Sequence, residues 1–117
     1  MTSPTQRTLK WFRDHGWLCC VVEKWVPYAK IRVDAMGFGD LLICKAGEGI
    51  ALVQATSGAN LAAREAKVRA NENAWKWLEA GGLIFVVGWS KRGPRGKRKL
   101  WAPDVREIKA EERARCR

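Results

Sequence analysis

The chain has one histidine, one tyrosine and four cysteines, and the cysteines at 19, 20, 44 and 116 are spaced neither as a zinc pair nor as a disulfide framework. Cys19, Cys20 and Cys44 lie in apolar runs, where a free thiol behaves as a small hydrophobe. A reducing cytoplasm is the expected compartment. No run of 18 apolar residues occurs, so no membrane span is expected. The segment Met1 to Arg7 lacks the apolar core of a signal peptide. Also missing are a Gly-Lys-Ser/Thr phosphate loop and a Ser-His-Asp set; Gly93-Pro94-Arg95-Gly96 reads as a flexible turn. His15, next to Gly16, suits a helix C-terminus better than a general base. What is present in quantity is apolar residue, 47% of 117. That is enough to bury the core of one domain over residues 1–108, leaving 109–117 as a charged tail.

Acidic residues are scarce where basic ones are dense. The net charge is +10, and residues 91–117 hold eleven Lys/Arg against four Asp/Glu. Within 91–99, Lys91, Arg92, Arg95, Lys97, Arg98 and Lys99 are cationic and none is acidic. Such a cluster concentrates positive potential, and nucleic acid is its natural partner. A solvated basic loop is the plainer alternative. Trp89 and Trp101 flank the loop and suit stacking on exposed bases, against core packing as the commoner use of tryptophan. Trp11, Trp75 and Trp77 fall where they would pack a helix on a sheet.

Thr5 to His15 reads as a first helix, with Ser3 and Pro4 as its start and Gly16 as its stop. Leu18 to Val22 is a strand continuing through Glu23 to Trp25, ended by Pro27. Residues 28–36 alternate Ile31, Val33 and Ala35 with Arg32 and Asp34, which suits either an edge strand or an extended approach. Asp40–Lys45 and Ile50–Thr56 form a hairpin about Gly47-Glu48-Gly49. One long helix, capped by Ser57 or Asn60, is expected to run to about Glu79 with Ala63, Ala66, Ala70, Ala74 and Trp77 as its buried stripe. Leu83 to Val87 is apolar throughout, so it should be covered on both faces. A helix between two strands implies that they lie parallel. Lys99 to Val105 would add an edge strand, to which Pro103 confines it. The segment from Glu107 to Arg117 reads as frayed helix or disordered chain. The fold class is α/β, a mixed central sheet with a helix on each face.

The hairpin carries the chemistry. Asp40 enters its first strand, and Gln54 and Thr56 are polar positions on the returning one. A three-residue loop at Gly47-Glu48-Gly49 pairs Asp40 with Thr56 and leaves Gln54 diagonal on the same face. Gln54 stands between Val53 and Ala55, so if buried it needs a polar partner. Asp34 and Glu23 are candidates for a second carboxylate, although Asp34 could instead pair with Arg32 and Glu23 could simply end the buried strand. Arg64 and Lys67, three apart, share a helix face from which they could reach a phosphate.

Taken together, Val22-Glu23-Lys24, Arg32-Val33-Asp34, Gly37-Phe38-Gly39-Asp40-Leu41-Leu42 and Val53-Gln54-Ala55-Thr56-Ser57 resemble the PD-(D/E)XK nuclease-like superfamily. Its members include restriction endonucleases, Holliday junction resolvases and VRR-NUC domains; a small phage and bacterial group within it is the nearest in pattern. The resemblance implies a restriction-endonuclease-like αβββαβ core over residues 5 to about 108. It also implies a Mg²⁺- or Mn²⁺-dependent DNA endonuclease, with Asp40 as metal ligand assisted by Glu23 or Asp34. Gln54 stands where the superfamily has an acid, as in its Mrr-type branch, and Thr56 stands where it has lysine. Arg64 or Lys67 would then supply the cation, and Gly39 replaces the proline of the motif's name. Relatives that cut two strands often act as homodimers. Two other readings remain open: a catalytically inactive nucleic-acid-binding module on the same fold, and a phage-encoded interaction protein.

Overall fold

The computed structural model describes residues 2–113. Cys116 and the end of the expected charged tail lie outside them. Helix α1 (Pro4–Asp14) begins at Ser3, whose hydroxyl accepts from the Gln6 N–H at 3.2 Å, with Pro4 preset at the first helical position. It ends at His15, followed by Gly16 at φ 89°. Strand β1 (Leu18–Val21) follows, then a ribbon of β2 (Lys24–Val26) and β3 (Ile31–Val33). Strands β4 (Leu41–Lys45) and β5 (Gly49–Ser57) form the central hairpin. Helices α2 (Leu61–Arg69) and α3 (Glu72–Glu79) cross to β6 (Leu83–Arg92), and β7 (Leu100–Ile108) returns beside it.

The five-stranded sheet has the order β1-β4-β5-β6-β7. Only β5 and β6 are parallel; β1/β4, β4/β5 and β6/β7 are antiparallel. The chain is therefore α/β with a mixed central sheet between helices. On one face, Leu52, Ile84, Val86 and Ile108 pack with Leu61 and Val68 of α2 and Trp75 and Leu78 of α3. On the other, Leu41, Ile43, Val53 and Val87 pack with Leu9 and Phe12 of α1. β6 is thus covered on both sides, as its apolar run requires. Pro103 sits in β7, the sheet's edge strand, the position in a sheet to which proline is confined. No helix among the described residues is long and apolar enough to cross a membrane.

Several expectations are corrected. The long helix is two helices, broken at Ala70-Asn71. Asn71 accepts from the Asn73 N–H at 2.9 Å and so starts α3 as its N-cap. With the break the buried stripe changes, to Leu61, Val68, Ala74, Trp75 and Leu78, while Ala63, Ala66 and Ala70 are exposed. At the start of α2 neither Ser57 nor Asn60 makes a side-chain cap. The segment carrying Ile31 and Val33 does not join the main sheet. It folds back on β2 as a separate two-stranded ribbon, leaving Trp25, Tyr28, Ile31 and Val33 exposed. Lastly, Cys20 is exposed rather than buried with Cys19.

Candidate metal centre and nucleic-acid surface

Asp40 stands one residue before β4, where its backbone already pairs on both sides. Its N–H donates to the Val53 carbonyl at 2.8 Å and its carbonyl accepts from the Val22 N–H at 2.9 Å. The β4/β5 register runs from Leu41↔Val53 to Lys45↔Gly49, which puts Asp40 opposite Gln54 and not opposite Thr56. The three-residue loop is Ala46-Gly47-Glu48, because Gly47 takes the left-handed backbone (φ 85°) that centres the turn. The shift preserves the two-residue period, so Asp40, Gln54 and Thr56 still share one face, the one covered by α2 and α3. All three are buried.

The polypeptide before Asp40 is a tight turn in which Gly39 N–H donates to the Ala35 carbonyl at 3.0 Å. Proline there would lose that bond. A Cβ at Gly39 would also lie 2.9 Å from Leu52 Cδ2. Glycine at position 39 thus suits this turn.

The same turn brings β3 back toward β2, and the ribbon register Lys24↔Val33 makes Glu23 the cross-strand neighbour of Asp34. The result is a cluster: one oxygen each from Glu23, Asp34 and Asp40 lie within 4.8 Å of one another. Arg32, two residues before Asp34 on the same ribbon face, donates to Glu23 Oε1 at 3.1 Å. The expected alternative, an Arg32–Asp34 pair, is not formed; Glu23 takes the guanidinium. Asp40 Oδ2 accepts from Gln54 Nε2 at 2.8 Å and from the Ala55 N–H at 2.9 Å.

These donors do not offset the charge. Asp40 is 4% exposed. Burial, then a hydrogen bond shared with Asp34, and further the charges of Asp34 and Glu23, push its carboxyl up to about 8 against the lowering effect of the Ala55 N–H. Two carboxylates this close hold a proton between them unless a cation replaces it. The three carboxylates make a hard oxygen donor set whose charge the one guanidinium offsets only in part, and such a set fits Mg²⁺ or Mn²⁺.

Other residues singled out in the sequence fall elsewhere. Arg64 is half-buried and Lys67 exposed on α2, over the same sheet face. Among the described residues neither forms an ion pair with the carboxylates. Arg32 is the cation at the cluster, and sequence reasoning gave it only as a surface partner of Asp34. The signal was the alternation itself: if 24–26 and 31–33 form a ribbon, Glu23, Arg32 and Asp34 must share a face.

The basic segment divides. Lys91 and Arg92 extend β6, and Arg95, Lys97, Arg98 and Lys99 lie in the turn to β7; all are exposed. Trp89 is corrected from a base-stacking candidate to a core residue. It is 7% exposed, and its indole N–H donates to Thr8 Oγ1 at 2.8 Å. Trp101, by contrast, is 48% exposed, with the Arg7 guanidinium 4.0 Å and the Lys91 ammonium 5.5 Å from its ring centroid. Since β6 runs parallel to β5, its basic end projects from the same end of the sheet that carries Asp40.

No protein-family model, curated protein or solved structure matches this chain. The functional reading rests on the site and its surroundings.

Proposed function

We propose that this protein is a metal-dependent nuclease of the PD-(D/E)XK type acting on DNA. The observation that carries the reading is the meeting of Glu23, Asp34 and Asp40 within 4.8 Å, beside a guanidinium and at the basic end of the sheet. Glu23, Asp34 and Asp40 would hold Mg²⁺ or Mn²⁺. Bound there, the ion would lower the pKa of a water and neutralise phosphate charge. Gln54 fixes the Asp40 carboxylate through its amide N–H. Arg32 takes the part of the strand-borne lysine, whose place Thr56 occupies, by presenting positive charge to a phosphate at the cluster. Arg64 and Lys67 contribute charge from α2. The exposed cations of 91–99 hold the remainder of the polyanion.

The test is cleavage of plasmid, linear, single-stranded and four-way-junction DNA with Mg²⁺, Mn²⁺ or EDTA. Metal-dependent cleavage that falls to background in Asp40→Asn is the expected result. Cleavage equal in wild type and Asp40→Asn would remove Asp40 from the site.

One observation favours a second reading. With Gln54 donating to Asp40 and Asp34 sharing its proton, the cluster can close on itself without an ion. A nucleic-acid-binding module that has lost hydrolysis would bind tightly, with steep salt dependence, and cleave under no metal.

A further inference from the structure

Two cavities adjoin at Gln6, on the side of the sheet end nearest α1. The first, about 420 Å³, opens between the start of α1 and the root of the ribbon, where Glu23 and Arg32 line it. The second, about 380 Å³, lies between α1 and the β6–β7 hairpin, lined among others by Arg7, Lys10 and Trp101. We propose that these cavities form the track of one unpaired nucleic-acid strand, running from the carboxylates to Trp101, which serves as a platform for a base. The proposal rests on the nucleic-acid part of the functional reading and not on cleavage.

The chemistry of the groove selects this ligand. Trp101 lies on an edge strand with half its surface in water, and it is not needed to close either core cluster. Arg7 and Lys91 stand against its ring. With Arg7 lying over the ring, a base would stack on Trp101 by taking the guanidinium's place while the cation turns to phosphate, which joins aromatic surface and charge as single-strand binding requires. The groove's two acidic lining residues are each paired with a cation, Asp14 with Lys10 at 2.6 Å and Glu23 with Arg32 at 3.1 Å. A duplex hides its base faces in its own stack, so the ring offers it nothing; an unpaired strand offers a face at every nucleotide.

The span is suitable. Asp40 lies in the row of Gln54 and Val86, and Trp101 in the row of Lys91, five residues along β6. At strand spacings that is about 17 Å along the sheet and, over the three intervals from β4 to β7, about 14 Å across it, or roughly 22 Å in all. A few nucleotides of extended strand cover it. Asp40 faces the α2/α3 side and Trp101 the α1 side, so the strand must cross the sheet end at the ribbon root. Glu23 joins the two, since it belongs both to the carboxylate cluster and to the first cavity.

The test is fluorescence anisotropy in EDTA, with the full chain and two labelled probes: an oligothymidylate and a hairpin duplex of the same length. Wild type, Trp101→Ala and Trp101→Phe are compared, with thermal melts to verify that each variant folds. Wild type should prefer the single strand. Trp101→Ala should weaken that binding roughly tenfold with little effect on the duplex, and Trp101→Phe should restore most of it. Unchanged single-strand affinity in Trp101→Ala would overturn the track. If the duplex binds as tightly and is cleaved with metal, the nuclease reading survives and the track does not. If wild type binds neither oligonucleotide but does bind polyglutamate, both fall together.

Discussion

Asp40 concentrates the energetic argument into a single side chain. Its carboxyl titrates near 8 in the folded chain against an ordinary value of 3.8. Between those values the folded state binds a proton that the unfolded state has released. The stability this proton contributes is fully present below about pH 4 and is lost as pH rises through about 8. The loss is at most about 1.4 kcal/mol per pH unit from this group. In EDTA, then, the thermal midpoint should fall across that window, and Asp40→Asn, which mimics the protonated acid, should flatten the fall. A divalent cation competes with the same proton, so Mg²⁺ or Mn²⁺ should raise the midpoint more at pH 8 than at pH 6. The same dependence in Asp40→Asn would show that the ion binds elsewhere. Asp40, Glu23 and Asp34 were legible as candidates because carboxylates stand out at the ends of apolar strands. The buried fate of Trp89 was not legible, because it depends on a hydroxyl 81 positions away. Thr8 Oγ1 both accepts from Trp89 and donates to the Pro4 carbonyl at 2.7 Å. Thr8→Val would leave the indole N–H unpaired in the core and should cost about 1–3 kcal/mol in a denaturant melt.

At the scale of elements, the sequence pattern was strongest where one period ran unbroken. The first helix, the central hairpin and the crossover to a parallel β6 could all be read from it. Where two patterns competed, it misled. Alanine at 63, 66, 70 and 74 suggested one continuous helix, yet alanine is neutral about which face it buries. Asn71, a strong N-cap residue in the middle, decides the matter. The break has a consequence beyond α3. Asn71 Nδ2 and Asn73 Nδ2 donate to the Met36 carbonyl at 3.3 and 3.2 Å, holding the turn between β3 and Asp40 from the helical layer. Met36 itself has φ 56°, a conformation that needs such support. Asn71→Ala should therefore destabilise by about 1–2 kcal/mol through the lost cap. It should also raise amide exchange over residues 34–39 and weaken metal binding. A loss confined to α3, with exchange over 34–39 unchanged, would mean the turn supports itself. The hairpin shows the converse case. Its register was misjudged by the placement of one loop, yet the shared face survived because a strand's period is two.

Over the whole molecule, charge and topology point to the same end of the sheet. The antiparallel β4 starts where β5 finishes, and the parallel β6 finishes beside β5, so Asp40 and the basic hairpin project together although 50 residues separate them. Composition made the basic segment plain, but only the strand order relates it to the carboxylates. The described part of the chain also neutralises its positive charge unevenly. Arg69, Arg106 and Arg113 are tied to Glu65, Glu72, Glu79 and Glu112 on the α2/α3 side, while the cations of 91–99 have no carboxylate partner among the described residues. Those unpaired cations are the ones available to phosphate. Replacing Lys97, Arg98 and Lys99 by alanine should weaken binding to all sequences alike. It should also lower the slope of log affinity against log salt by about 2–3, since each phosphate contact contributes about 0.7–0.9. The metal-dependent rise in thermal midpoint should not change, because none of the three touches the carboxylate cluster. A salt slope unaltered by the triple substitution would place the polyanion elsewhere on the protein. The basic hairpin would then be a solvated loop, and its position at the carboxylate end of the sheet would have no bearing on what the cluster acts upon.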